Sequence, residues 1–249
     1  MNLSWGEWMR FAALPALRAG LADSVNPGGL LALLLFICFL YFVSMVGGRI
    51  FYSGCVFLVA AVILTTVLNT GLFDGFLICK IYDRFLHWSL VFFVTFDFII
   101  GIILLRDWWI YLRSHREERL LVPFPFLDQA RDVVKSKSHL QNRAVLLLLS
   151  LLTAGVTMLL AVAWPPNIYV TIILYQLTLP GYLLRAGFLL LLYSLGTIVP
   201  MLTVLLILDR IFISRMRVIR LQNVLSKVQI ISAAVFLSYA ISFIFFYIW

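Results

Sequence analysis

Charged side chains are scarce in this chain. Only 12% of its 249 residues are Asp, Glu, Lys or Arg, 63% are apolar, and the mean hydropathy is +1.06. A soluble domain of this size averages about 25% charged and about 45–50% apolar residues. Because so few polar side chains cannot cover a water-exposed surface, we predict an all-α integral membrane protein in contact with the lipid bilayer.

Motifs for hydrolysis, nucleotide binding and metal binding are also absent. The sequence has no phosphate loop, no HExxH and no GxSxG. Its few histidines and cysteines are scattered without a CxxC or any metal-ligand spacing. They are His87, His115, His139, Cys38, Cys55 and Cys79. We therefore expect no metal, no cofactor, no hydrolase and no nucleotide-driven pump.

Long apolar runs occupy most of the chain. A helix needs about 20 apolar residues to cross the hydrocarbon core of a bilayer. The sequence predicts six transmembrane helices, in residues 19–46, 51–73, 86–112, 144–178, 182–208 and 226–249. The first 20 residues have no basic start before their apolar part, and Arg18 interrupts them, so we expect no cleaved signal peptide.

The basic residues are unevenly distributed along the chain. Of the 19 Lys and Arg residues, 14 lie in or beside the connections that follow the first, third and fifth predicted spans. The positive-inside rule places these basic loops in the cytoplasm and both termini outside. The net charge of +8 is thus a topology signal, and we expect no nucleic-acid partner.

The longest connection divides the predicted spans into two sets of three. Residues 113–143 form a basic cytoplasmic loop, in which DQARDVVKSK is predicted to be a short interfacial helix. Residues 1–112 and 144–249 then form the first and second three-helix repeats. Because an odd number of spans precedes the loop, the two repeats have opposite orientations, which is the pattern of inverted repeats.

The first predicted helix of each repeat is broken. The first break is NPGG, from Asn26 to Gly29, and the second is WPPN, from Trp164 to Asn167. Proline removes a backbone donor and glycine weakens a helix, so each motif predicts an interruption at membrane depth. We expect Asn26 to hydrogen-bond carbonyls that Pro27 releases. A proline kink without function remains the alternative at each break.

Paired breaks in corresponding spans point to a central site between the repeats. The candidate residues for that site are Asp23, Asn26, Pro27, Gly29, Pro165, Pro166, Asn167 and Tyr169.

Asp97 is the one carboxylate deep within an uninterrupted apolar span. An ionisable residue there is either functional, facing the interior or a cavity, or a protonated acid that hydrogen-bonds a neighbouring helix. Asp23, near the first break, is a candidate to share a cavity with Asp97, with Arg18 as its candidate partner. Arg106 to Trp109 is predicted to anchor the third span at the membrane interface.

Five segments, taken in order, resemble the cytochrome c biogenesis and thiol–disulfide interchange transmembrane family (CcdA/DsbD-like). GLADSVNPGG at residues 20–29 resembles its G-L-x-D-x-x-N-P-C opening. The others are GIILLRDWW (101–109), WPPNIYV (164–170), LLLYSLGTIVPML (190–202) and RMRVIRLQNVLSKVQIISAAVFL (215–237). The resemblance spans both repeats and implies a multi-pass protein of a prokaryotic inner or plasma membrane.

In that family, each broken helix carries one cysteine, and the pair relays electrons across the membrane. The resemblance places these cysteines at Gly28 and Trp164, where neither residue can perform thiol–disulfide exchange. We therefore expect no enzyme activity. Trp164 is predicted to fill the former site, so that Trp164→Ala opens a water-accessible cavity.

Three functions remain open on this sequence. The first is a non-catalytic structural or accessory subunit of a larger membrane complex, with partner membrane proteins. The second is a small-solute or cation/proton-coupled transporter. The third is a transmembrane thiol–disulfide reductase with rearranged cysteines, which would pair two of Cys38, Cys55 and Cys79.

Overall fold

The computed structural model describes residues 5–45, 49–78, 82–113, 143–163, 172–173, 175–176, 183–210 and 216–248. These residues contain seven long helices and no strand, so the described part of the chain is all-α, as predicted. The helices are α1 (Trp5–Asp23), α2 (Pro27–Met45), α3 (Ile50–Ile78), α4 (Tyr82–Arg113), α5 (Arg143–Ala163), α6 (Leu183–Arg210) and α7 (Met216–Ile248).

Some calls from the sequence lie outside the described residues. They are the interfacial helix DQARDVVKSK, the second break WPPN, Tyr169 and Cys79.

Two helices begin well before their predicted spans. α1 begins at Trp5 although the first span was predicted from residue 19, and α7 begins at Met216 although the sixth was predicted from residue 226. Both extensions contain charged residues, such as Arg10 in α1 and Arg217 in α7. Apolar runs mark where a helix meets lipid, whereas a helix continues through any residues that favour it.

Two described helices are long and apolar enough to cross a membrane individually. They contain the segments Ile50–Thr70 in α3 and Leu184–Ile207 in α6. Ala12–Asp23 and Pro27–Val43, which are bent by 71° at their junction, form a third such segment if they count as one span. The described residues thus provide two or three spans, which fits a membrane protein but falls short of the six predicted.

The outward faces of the helices are apolar. On α3, Val59, Ile63 and Val67 repeat every four residues and are 57–61% exposed. On α5, Leu148, Leu152 and Val156 repeat at the same spacing and are 56–59% exposed. Continuous apolar stripes on outer faces are suited to contact with lipid tails.

The main core forms around α2, which contacts α3, α5, α6 and α7. Phe36, Ile37 and Leu40 of α2 are fully buried. The Phe36 ring lies 4.8 Å from the ring of Phe57 on α3, and Phe236 of α7 belongs to the same cluster. A helix that is apolar on all sides, as α2 is, becomes the central element of such a bundle.

A second, smaller cluster joins α1 to α6. Ala16 of α1, Leu190 and Tyr193 of α6, and Ile173 are buried together. Small residues at the crossing allow the two backbones to approach each other closely. This packing holds the end of α1, where the first break begins, against the middle of α6.

Candidate functional site

The first break is a helix end followed by a new helix start. α1 ends at Asp23, and α2 begins at Pro27. The Asn26 side-chain oxygen Oδ1 accepts a hydrogen bond from the Gly29 backbone N–H at 2.7 Å, which makes Asn26 the N-cap of α2. Pro27 occupies the first helical position, where its missing N–H is not needed.

This geometry corrects the predicted role of Asn26. We expected its side chain to hydrogen-bond carbonyls released by Pro27, but it satisfies a free N–H at the start of α2. Pro27 initiates the second helix and does not kink a continuous one. The interruption therefore consists of Ser24, Val25 and Asn26, and Pro27, Gly28 and Gly29 lie within the first turn of α2.

Gly29 allows the two helix ends to meet. A Cβ atom on Gly29 would lie 2.4 Å from the Asp23 carbonyl oxygen and 2.6 Å from the Ser24 Cα. Those neighbours are backbone atoms, so they cannot rotate away as a side chain could. Ser24 is buried and donates its hydroxyl to the Leu21 carbonyl at 2.6 Å, which satisfies one of the last carbonyls of α1.

Asp23 connects the break to the second half of the chain. Its carboxylate oxygen Oδ2 accepts a hydrogen bond from the Tyr193 hydroxyl of α6. The partner of Asp23 is thus a tyrosine far away in sequence. Arg18, the partner suggested by the sequence, has an exposed side chain on α1.

A second acid and a second tyrosine lie on two helices that pack against each other. Asp97 is fully buried on α4, and α4 packs along α7, which carries Tyr239. Tyr239 is itself 41% exposed, so this helix pair carries one buried acid and one partly exposed phenol. We call Asp23, Asp97, Tyr193 and Tyr239 the acid–tyrosine cluster. Its two acids come from the first half of the chain and its two tyrosines from the second.

The tyrosines of this cluster were not identified from the sequence. Tyr193 lies within LLLYSLG, which was noted only as part of a family resemblance, and Tyr239 lies in the last apolar span. A phenol hydroxyl inside an apolar helix needs a polar partner, and that requirement is the sequence signal that could have located both residues.

Polar side chains also connect α3 to α5 and α6. The Thr66 hydroxyl of α3 lies 3.0 Å from the Ser194 hydroxyl of α6, next to Tyr193. Thr65 of α3 donates to the Met158 sulfur of α5 at 3.2 Å. Between apolar helices, such interhelical hydrogen bonds fix the relative rotation of the helices. They therefore help to hold Tyr193 in place beside Asp23.

The described basic side chains and Asp97 differ in their burial. None of the described Lys and Arg side chains is buried, whereas Asp97 is fully enclosed. The described residues also contain no group of three or more His, Cys, Asp or Glu that could hold a metal ion. A buried carboxylate is costly in its charged form, and protonation removes that cost.

The former redox position Gly28 and two of the three cysteines are described. Gly28 is buried in the first turn of α2. Among the described residues, neither Cys38 nor Cys55 forms a disulfide, and Cys38 is enclosed in the core around α2. Trp164, the other former redox position, lies outside the described residues together with Pro165, Pro166 and Asn167.

No protein-family model matches this chain, and neither a curated protein nor a solved structure matches it. The resemblance to the cytochrome c biogenesis family therefore depends on the five sequence segments alone.

Proposed function

We propose that this protein is a membrane transporter that exchanges a small cation for protons at the acid–tyrosine cluster. The observation that carries the proposal is the hydrogen bond from Tyr193 to the Asp23 carboxylate at the first break, together with the complete burial of Asp97 on α4. Carboxylate and phenol oxygens suit a proton or a hard cation. Acidic residues inside membrane helices commonly mark such a pathway.

The position of Asp23 supports the same function. Transporter sites commonly lie where a membrane helix is discontinuous, because backbone groups at the break are available to a ligand. Asp23 is the last residue of α1, and the capped start of α2 follows three residues later. Its bond to Tyr193 links the break to α6. Binding or release of a proton or cation at Asp23 would therefore act on both halves of the chain.

The proposed architecture has six spans in two inverted three-helix repeats. In this arrangement α1 corresponds to α5, α3 to α6 and α4 to α7. Two of the observed contacts, α3–α6 and α4–α7, join helices that correspond to each other. Two more, α1–α6 and α3–α5, are equivalent because replacing each helix by its counterpart turns one contact into the other. A pseudo-two-fold axis between two repeats produces this pattern. The prokaryotic inner membrane, external termini and cytoplasmic basic loops belong to the same proposal.

Proton exchange in vesicles tests the function. The purified protein is reconstituted into liposomes that contain the pH dye pyranine, and gradients of Na⁺, K⁺ or Li⁺ are applied in turn. We expect at least one gradient to change the internal pH. Wild-type protein that behaves like empty liposomes with all three cations would overturn the proposal.

Two matched pairs of variants connect the activity to the cluster. Asp97→Asn should abolish the pH change, whereas Asp107→Asn, the same substitution nearer the end of α4, should not. Tyr193→Phe should weaken the exchange because it removes the hydroxyl that donates to Asp23. Tyr52→Phe, on the outer surface of α3, is its control. If both members of each pair exchange protons equally well, the transport does not take place at the acid–tyrosine cluster.

An accessory role in a larger membrane complex is the second candidate. It is favoured by the buried glycine at position 28 and the enclosed Cys38, because neither provides an accessible thiol for electron transfer. Native mass spectrometry of gently extracted protein tests this role. A defined larger assembly would support it, and a monomer or homodimer would argue for transport.

A further inference from the structure

Two buried polar side chains on α7 take no part in the cluster described above. Gln229 and Ser232 are fully buried, and neither the amide of Gln229 nor the hydroxyl of Ser232 has a hydrogen-bond partner in the described part of the chain. Burying an amide with both its donor and its acceptor unsatisfied is unfavourable, and more so between apolar helices. Small polar molecules that bind there would remove this penalty.

Gln229 and Ser232 belong to a stripe of residues that runs along one side of α7. Lys227, two residues before Gln229, is exposed near the basic end of the helix. Gln229, Ser232, Phe236 and Tyr239 then follow at spacings of three or four residues, which places them along one side of the helix. Gln229 and Tyr239 are ten residues apart, about 15 Å along the axis. The stripe therefore extends from the basic end of α7 to the acid–tyrosine cluster.

Phe236 separates the two polar parts of this stripe. Its ring is fully buried and belongs to the main core, between Ser232 on one side and Tyr239 on the other. Ala233 and Ala240 lie about one helical turn before and after Phe236, and both are small and buried. The Phe236 ring therefore interrupts the polar stripe, and a continuous polar path between Ser232 and Tyr239 requires this ring to move.

From this geometry we infer that water molecules bind at Gln229 and Ser232 and form the route by which protons reach the acid–tyrosine cluster from the basic end of α7, with Phe236 as its gate. Gln229 can donate to one water molecule and accept from another, and Ser232 can do the same. No net chemistry occurs along the route, because each proton that enters one end displaces one at the other. The inference rests on the proposed cation–proton exchange and adds the path to its site.

Cysteine accessibility tests whether the route holds water, and it does not depend on transport. Ser232→Cys and Gln229→Cys are each made in protein whose three native cysteines are replaced by alanine. Membrane vesicles are treated with a small water-soluble methanethiosulfonate reagent. Ala154→Cys, at a fully buried apolar position on α5, is the matched control. We expect both route cysteines to be modified in folded protein and the control to be modified only after denaturation.

The outcomes distinguish this inference from the proposed function. Protection of both route cysteines in folded protein would overturn the water-filled route, even if cation–proton exchange is observed in vesicles. If either route cysteine is modified but no cation–proton exchange is observed in vesicles, the site holds water and the proposed transport function is wrong. If Ser232→Cys does not fold, Gln229→Cys supplies the same measurement independently.

A second pair of variants tests the gate. Phe236→Ala removes the ring between the two polar parts, so we expect proton leak without a cation gradient in reconstituted vesicles. Phe57→Ala removes an equally buried ring from the same core on α3 and should produce no such leak. If both variants leak protons equally, the leak results from general loosening of the core, and Phe236 is not the gate.

Discussion

Gly20 of α1 and Gly196 of α6 lie against each other where the two helices cross. A Cβ atom on Gly20 would lie 2.0 Å from the Tyr193 carbonyl oxygen and 3.1 Å from the Gly196 Cα. A Cβ atom on Gly196 would lie 2.4 Å from the Leu17 carbonyl oxygen. Because these neighbours are backbone atoms, a methyl group at either position must separate the helices. This crossing determines how close Asp23, three residues after Gly20, lies to Tyr193.

Alanine at this crossing should destabilise the protein. We expect Gly20→Ala and Gly196→Ala each to lower the free energy of unfolding by about 1–3 kcal/mol, the range for overpacking. Thermal unfolding in one detergent, followed by intrinsic fluorescence, measures the change. Gly187→Ala is the control on α6, because a Cβ there meets nothing within 4 Å. The stability of Gly187→Ala should be unchanged or slightly higher. If all three variants lose the same stability, the close approach of α1 and α6 at Gly20 and Gly196 is contradicted.

The cap at the first break should contribute measurably to stability. Asn26→Ala removes the oxygen that accepts from the Gly29 N–H, and loss of an N-cap costs about 1 kcal/mol. Asn26→Ser keeps a side-chain oxygen at this position and should recover most of the loss. The unfolding midpoints of the three proteins measure this order. If serine is as destabilising as alanine, Asn26 does not act as a cap.

Cys38 should be chemically inert in the folded protein. Its thiol is enclosed in the core, so a maleimide should modify it only on unfolding, whereas the less buried Cys55 should react sooner. Mass spectrometry of protein alkylated over time gives both rates. A disulfide between any two of Cys38, Cys55 and Cys79 that changes with a thioredoxin partner would instead support the redox function.

The six-span topology predicts an alternating pattern of reporter activity. Green fluorescent protein should be fluorescent when it is fused after residues 48, 128 or 213, in the basic connections. Alkaline phosphatase should be active after residues 80 or 180. These positions follow from the positive-inside rule. Reporter activity on the same side of the membrane at residues 128 and 180 would exclude the inverted-repeat arrangement.

The class of the protein and the first break followed from local sequence. Apolar runs predicted helices because a membrane excludes unpaired backbone groups, and the described helices α2 to α7 each overlap a predicted span. The Asn-Pro pair marked the break, although its detailed chemistry was misjudged. A helix cap depends on the positions of Asn26 and Gly29 relative to each other, which only the folded backbone defines.

The partners within the site followed from tertiary structure. Arg18 was chosen for Asp23 because it is near in sequence, yet Tyr193 is the partner because α1 crosses α6 at two glycines. Asp97 was singled out by its sequence context, but only the folded structure shows that its helix α4 packs along α7.

The sequence by itself thus determined that the described part of the chain is helical and apolar and where its first apolar helix is interrupted, because these properties depend on neighbouring residues along the chain. Only the tertiary structure decided which polar groups share the interior. That outcome depends on helix crossings, which are set by small residues and close packing between segments far apart in sequence.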